Sequence, residues 1–308
     1  MSPSRATFFD LNDHALIELA GRDAREFLHN LCTQDVKSLP VGESREAFFT
    51  NSKARVIAHV WIWHRAQDVL LLDCAAFQAE KLLQHLNHYL ISEQVEIKRR
   101  PDFSLLRVVG PNAKAVAAST GLRQIRVNSL PGHESVDLLL TDADGEAIEL
   151  RQRILENGAV KGDPATYNVL RIEAGLPEYG IDIDENRLAM EVNRTAQAIS
   201  YAKGCYLGQE TIVMARDRGQ VNRLLLGIRV AMGDPLTPGA KLFRANEEVG
   251  HVTSSVFSPR LNQVVALAYL RRGNWEPGVE LTIEPSTDGR SMVVSALPFC
   301  SGAGVAVA

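Results

Sequence analysis

The chain has 308 residues, 45% of them hydrophobic, and a formal net charge of −4. That length divides into two or more domains at roughly 100–200 residues each, and the mild acidity withholds the basic field that nucleic-acid binding needs. Its four cysteines, Cys32, Cys74, Cys205 and Cys300, are widely spaced without a CxxC, which argues against a zinc site or a protein-held iron–sulphur cluster and for reduced thiols.

The opening "MSPSRATFFDLNDHALIELA" has no apolar run of signal-peptide length, and no stretch approaches the roughly 18 apolar residues of a membrane span. A cytoplasmic protein with no membrane contact is expected. "ALIELAGRDAREFL" (15–28) reads as a strand, a glycine turn and a helix. Its Ala24, Phe27, Leu28 and Leu31 share one helical face, and Asp23 with Glu26 resembles a capping box. "SLLRVVGPNAKAVAA" (104–118) repeats that grammar. Each copy is followed by an apolar strand ending in aspartate, "DVLLLD" (68–73) and "VDLLLTD" (136–142), and then by a helical stretch. Two related α/β halves explain the pattern, although such grammar is common in α/β chains.

"GDPATYNVLRIEAGLPEYGIDID" (162–184) opens with a helix: Asp163 is a good N-cap, Pro164 occupies the first helical position and Gly175 is a natural stop. Beyond residue 220 the texture changes to short strand-like runs separated by Gly, Pro, Asn and Asp, which predicts a small all-β barrel or sandwich. The expected units are 1–220, 221–300 and a frayed tail at 301–308. No P-loop, no GxGxxG after a strand and no HExxH occurs.

"KGCYLGQE" (203–210), followed by "RGQVNR" (218–223), resembles the signature of the YgfZ-type folate-binding proteins, which belong to the glycine-cleavage T-protein superfamily. "RIEAGLPEYGIDID" (171–184) and "GRDAREFLHNLCTQDVKSLPVG" (21–42) are similar to that superfamily's central and amino-terminal motifs. The resemblance runs through nearly the whole chain. It implies an α+β, three-lobed architecture: two related, interleaved α/β lobes around a central folate pocket, plus the small C-terminal barrel. It also implies tetrahydrofolate or a one-carbon derivative as ligand, and iron–sulphur client or assembly proteins as partners. The other branch of the superfamily is aminomethyltransferases, so a one-carbon transferase and a non-catalytic folate scaffold or sensor stand as alternatives.

By this resemblance Glu173 takes the place of the pterin-binding glutamate, where one carboxylate accepts from two adjacent N–H groups. A solvated glutamate near a helix end is the plainer reading. Cys205 lies between glycines in a polar loop; Lys203 can favour its thiolate, while a small buried residue is the alternative. Tyr206 is a candidate for stacking on a ligand ring, or a packing tyrosine. Gln209 and Glu210 order the loop or meet the ligand, and Glu210 also suits the start of the next helix. Arg218 and Arg223 suit an anionic glutamyl tail or a solvated surface.

Three departures matter. Met214 stands where the family carries arginine, leaving Arg216 as the nearest cation. Ala54 replaces a loop glycine, which predicts a turn of different shape. Ala58 and His59 occupy the acidic pair of the aminomethyltransferases, which disfavours their reaction unless His59 moves the proton.

Overall fold

The computed structural model describes residues 5–121, 125–127, 129–141, 146–219, 221–231, 233–283 and 291–299; the expected tail at 301–308 lies outside them. One five-stranded sheet has the order β3 (Ser44–Thr50), β4 (Val56–Ala66), β5 (Val69–Ala75), β2 (His14–Ala20) and β6 (Glu96–Arg99), antiparallel throughout. A second has the order β10 (Val160–Lys161), β1 (Thr7–Asp10), β7 (Phe103–Val109), β9 (Ser135–Thr141) and β8 (Ile125–Val127). Within each, the chain follows the repeated grammar. β2 leads to α1 (Ala24–Leu31), and β5 to α2 (Ala79–Tyr89); β7 leads to α3 (Ala113–Ser119), and β9 to α4 (Glu146–Glu156). The amino-terminal β1 pairs with β7 as β6 pairs with β2, so the two lobes interleave.

Period-two alternation divides the residues of each sheet between two faces. On the first, Ala15, Ile17, Leu19, Ala58, Val60, Ile62, Leu70 and Leu72 pack against the helices. Leu16, Trp63 and Leu71 point the other way and meet Leu105, Val109 and Leu139 of the second sheet. The sheets therefore face one another across a shared inner layer, partly closed by α5 (Pro164–Glu173).

Helix α5 starts as its sequence predicts: the Asp163 carboxylate accepts from Thr166 N at 2.7 Å, and Pro164 follows. Asp23, by contrast, makes no side-chain cap on α1; its carboxylate accepts from Gln94 N at 2.8 Å. A tertiary partner has displaced the expected capping box. The third lobe is a closed barrel in the order β11 (Arg223–Val230), β14 (Gln263–Arg271), β13 (Glu247–Ser258), β12 (Lys241–Arg244), β15 (Glu280–Ile283) and β16 (Met292–Ser295). Ile172 of α5 packs against its Leu225, Val265 and Leu267.

Candidate functional site in the cleft between the sheets

Where the inner layer is not apolar it is charged. Asp137 receives a two-pronged bond from Arg107, Nε to Oδ1 at 2.6 Å and Nη2 to Oδ2 at 2.7 Å. Arg126 joins the same carboxylate and reaches across to Asp73 Oδ2 of the first sheet at 2.7 Å. Arg107 also donates to the Tyr167 hydroxyl at 2.6 Å. All four charged side chains are buried, and each charge meets its opposite with near-ideal donor geometry, the condition under which buried ions are tolerated. Burial pushes the Asp73 carboxyl up, but His14 and Arg126 outweigh it and hold the group at about 2.

This network floors a cleft of about 620 Å³, mouth included, lined among others by Asp13, His14, His59, Trp61, Arg107 and Glu178. An adjoining hollow of about 950 Å³ shares Asp13 and Tyr167 with it. Leaving out the open mouths, the cleft holds about 80 Å³ and the adjoining hollow about 500 Å³, and the hollow falls in the range of small-ligand pockets. Two histidines face this cleft, each paired with a buried carboxylate. His14 Nδ1 lies 2.5 Å from Asp73 Oδ1. His59 Nε2 lies 2.8 Å from Glu46 Oε1, and Glu46 is gripped on both oxygens by Arg194. Burial raises the Glu46 carboxyl; Arg194 and His59 more than offset it, and the group sits at about 2. Ala58 points to the opposite face, into the helix-covered core, so of the two departures on β4 only His59 reaches the cleft. Glu178 stands half-exposed on the wall, its Oε2 2.9 Å from Arg171 Nε, and burial raises its pKa despite that cation.

None of the ligand-binding residues expected from the motifs lines this cleft. Glu173 is 1% exposed. Its carboxylate accepts from Ser258 Oγ and, at 3.0 Å, from Arg260 Nε of the barrel, with His133 Nε2 at 3.5 Å. Its conspicuous charge braces α5 against the barrel. Arg171 and Asp182 of the same motif do likewise through Ser254 and Thr253. The motif lines the cleft with Arg171, Leu176, Pro177, Glu178 and Tyr179, which sequence reasoning passed over; a turn-rich segment carries no periodic signal.

The cysteine loop follows α6 (Thr195–Ala198) and precedes α7 (Gln209–Asp217). Cys205 is exposed. Lys203, two residues earlier, is buried: its ammonium donates to the carbonyls of His29, Cys32 (2.7 Å) and Gln34 (3.0 Å) at the end of α1. These bonds give Lys203 a structural role beside the activating one expected of it. Its charge satisfies orphan helix carbonyls, a strong use of a cation at a helix C-terminus, and anchors the loop. Tyr206 packs among Phe48, Val56, Met190 and Ile212, under the Lys203 ammonium at 4.6 Å, as the packing alternative describes. Gln209 opens α7, and Glu210 sits in its first turn, where a carboxylate favours the dipole. Arg218 closes that helix and Arg223 opens β11; both are exposed. Arg216 lies over the Tyr201 ring at 4.7 Å and pairs with Asp217, while Met214 is exposed.

Gly208 takes φ 88°, and a Cβ there would meet Asn51 O at 2.6 Å. That contact seats the cysteine loop on the 51–54 turn. Ala54 itself adopts φ 58°, so the turn keeps the left-handed shape that a glycine would take, against the expectation of a different one, at a strain cost of about 1–2 kcal/mol.

Among the described residues, no helix is long and apolar enough to cross a membrane. The GCVT N-terminal domain matches residues 3–136, and the glycine cleavage T-protein C-terminal barrel domain matches residues 223–300. An aminomethyltransferase of Alcanivorax borkumensis is 28% identical over 292 residues, covering 87% of this chain and 79% of that one. One from Thermosipho melanesiensis is 25% identical over 315 residues, covering 96% and 85%. The crystal structure of the glycine cleavage system aminomethyltransferase T from Bartonella henselae superposes with a TM-score of 0.87 at 24% identity, covering 97% of this chain and 87% of that one. With the fold, the amino-terminal domain and the closed barrel all matched, the chain belongs to the glycine-cleavage T-protein superfamily.

Proposed function

We propose that the protein binds tetrahydrofolate, or a one-carbon derivative of it, in the cleft between the two sheets. The observation that carries this reading is the cleft's lining. Trp61 offers a flat apolar face, and Arg126 lies over its ring at 4.9 Å. Glu178 is the half-exposed carboxylate on the wall, suited to adjacent N–H groups of a pterin edge. The relatives' name, aminomethyltransferase, supports a folate-related ligand class. In this reading the exposed Cys205 acts at a separate surface, on iron–sulphur client or assembly proteins, because no residue of its loop lines the cleft.

Anaerobic calorimetric titration with tetrahydrofolate tests the first claim. Wild type binds; Trp61→Ala and Glu178→Gln weaken binding at least tenfold, while Cys205→Ser leaves it unchanged. Absence of binding by wild type across folate forms would overturn the ligand assignment. For the second claim, Cys205→Ser lowers client iron–sulphur enzyme activity in cells; full client activity would remove it. An aminomethyltransferase-like one-carbon transferase is the second reading, favoured by the carboxylate-paired His59 on the cleft wall. Enzyme-dependent consumption of methylenetetrahydrofolate distinguishes it.

A further inference from the structure

His14 and His59 lie on one face of the first sheet. His14 of β2 pairs with Ala75 of β5, and Trp61, two residues after His59 on β4, pairs with Asp73, two before Ala75. Extending that register sets His59 and His14 on either side of Ala75, at roughly 10 Å for two strand spacings. The small alanine leaves a floor between two imidazoles.

Their tautomers follow from their partners. Glu46 and Asp73 are held ionised, so each is an acceptor only. His59 Nε2 and His14 Nδ1 must therefore carry the hydrogen. In the neutral ring the opposite nitrogen, His59 Nδ1 or His14 Nε2, then has a bare lone pair. No group among the described residues bonds either atom, and neither is sealed from solvent. Both open to the cleft they line. Their surroundings differ. His59 meets Glu46, whose charge Arg194 already shares, and packs on Phe48 at 5.0 Å between ring centroids. His14 meets Asp73, whose charge Arg126 likewise shares, but Asp13 stands beside it as a second carboxylate, with Arg107 the nearby opposing cation and Glu178 on the same wall paired to Arg171. Burial works against a charge on His14, but the Asp73 and Asp13 carboxylates outweigh it and favour its imidazolium, whereas Glu46 is the carboxylate partner of His59. Environments that separate two titrating groups are how a site obtains both an acid and a base.

We propose that His59 is the general base and His14 the general acid of this cleft, with Glu46 and Asp73 as positioning residues. The proposal rests on the folate reading for its substrate, a methylene carbon bridging two nitrogens. His14 gives its Nε2 proton to one nitrogen as the C–N bond breaks and its electron pair goes to that nitrogen. The other nitrogen's lone pair forms C=N. Water then adds to the carbon, forming a C–O bond as the C=N pair returns to nitrogen and His59 Nδ1 takes the water's proton; the hydroxymethyl amine releases formaldehyde when its O–H bond pair forms C=O, its C–N pair goes to nitrogen, and a proton passes from oxygen to that nitrogen through solvent. Proton exchange with solvent restores both rings.

Two measurements test it. Long-range ¹H–¹⁵N spectra of the ¹⁵N-histidine-labelled protein should show a bare Nδ1 on neutral His59 and an Nδ1–H on His14; an Nδ1–H tautomer at His59 overturns the assignment. Exchange of ¹³C-formaldehyde into methylenetetrahydrofolate, followed anaerobically, should be accelerated by wild type and slowed about 100-fold by His59→Gln or His14→Gln, in kcat more than KM. Unchanged rates in both folded variants also overturn it. Should wild type bind no folate, the substrate reading falls, and the spectra alone decide the two tautomers.

Discussion

The cleft and the cysteine loop use charged residues in opposite ways. In the cleft, groups far apart in sequence are gathered: Asp73 and Asp137 share Arg126, and Arg107 locks Asp137 to Tyr167. In the loop, groups nearly adjacent in sequence part company: Lys203 turns inward to three carbonyls while Cys205 stays outside. Burial accounts for the difference. An ion in the inner layer persists only with a countercharge, so the tertiary fold must supply one. A surface loop needs only an anchor, and one ammonium meeting a helix end provides it.

The largest effect expected is at the network's centre. Asp137→Ala leaves two buried guanidinium groups without their shared partner and should cost about 3–5 kcal/mol in urea unfolding. A loss below about 1 kcal/mol would mean the network is not what joins the two sheets. Acid comes next. Folded-state values near 2 for Glu46 and Asp73 lie below their ordinary 4.5 and 3.8. Their stabilisation is therefore present above those ordinary values and lost as pH falls through about 2. Together this amounts to on the order of a few kcal/mol, read as a falling denaturation midpoint below about pH 5. His14 runs the other way: its pKa is raised, so its contribution is full below about 6.5 and fades as pH rises through the folded value. A midpoint flat from pH 5 to 2 would contradict both carboxylate assignments.

Lys203→Met should cost about 1.5–3 kcal/mol, the range for hydrogen bonds to a charged group, and should loosen the loop, seen as faster amide exchange in 199–208 with little change in the cleft. Slowed exchange, or loss of folate binding alone, would show that the two regions are not separate. The smallest effect is Cys205→Ser, within about 0.5 kcal/mol of wild type. The same thiol should react with a maleimide in the native state, whereas Cys32 and Cys74 react only on unfolding. Both are buried, and burial pushes the Cys74 thiol up to about 12.

Local grammar was legible in the chain. The strand, glycine and helix of each lobe, the Asp163–Pro164 start of α5 and the β-rich third lobe all follow from periodicity and turn chemistry, which act over a few residues. The site was legible only in part. Glu173 drew notice as a carboxylate within a motif, yet whether a glutamate meets a ligand or a barrel depends on what packs above it. Asp23 shows the same limit on a smaller scale: its spacing to Glu26 suits a cap, but Gln94 N is nearer to hand. His59 read as a lone histidine because Glu46 and Arg194 become its neighbours only when β3 pairs with β4 and the chain returns at 194.

By itself, then, the sequence determined the order of elements, the change to an all-β lobe and an isolated cysteine among glycines, since each is written in short-range spacing. The tertiary structure alone decided which charges face the cleft, which histidine nitrogens stay open and where Lys203 points. Those outcomes depend on long-range pairing of ionic groups under desolvation, where a partner more than a hundred residues away sets a side chain's energy more strongly than its neighbours in the chain.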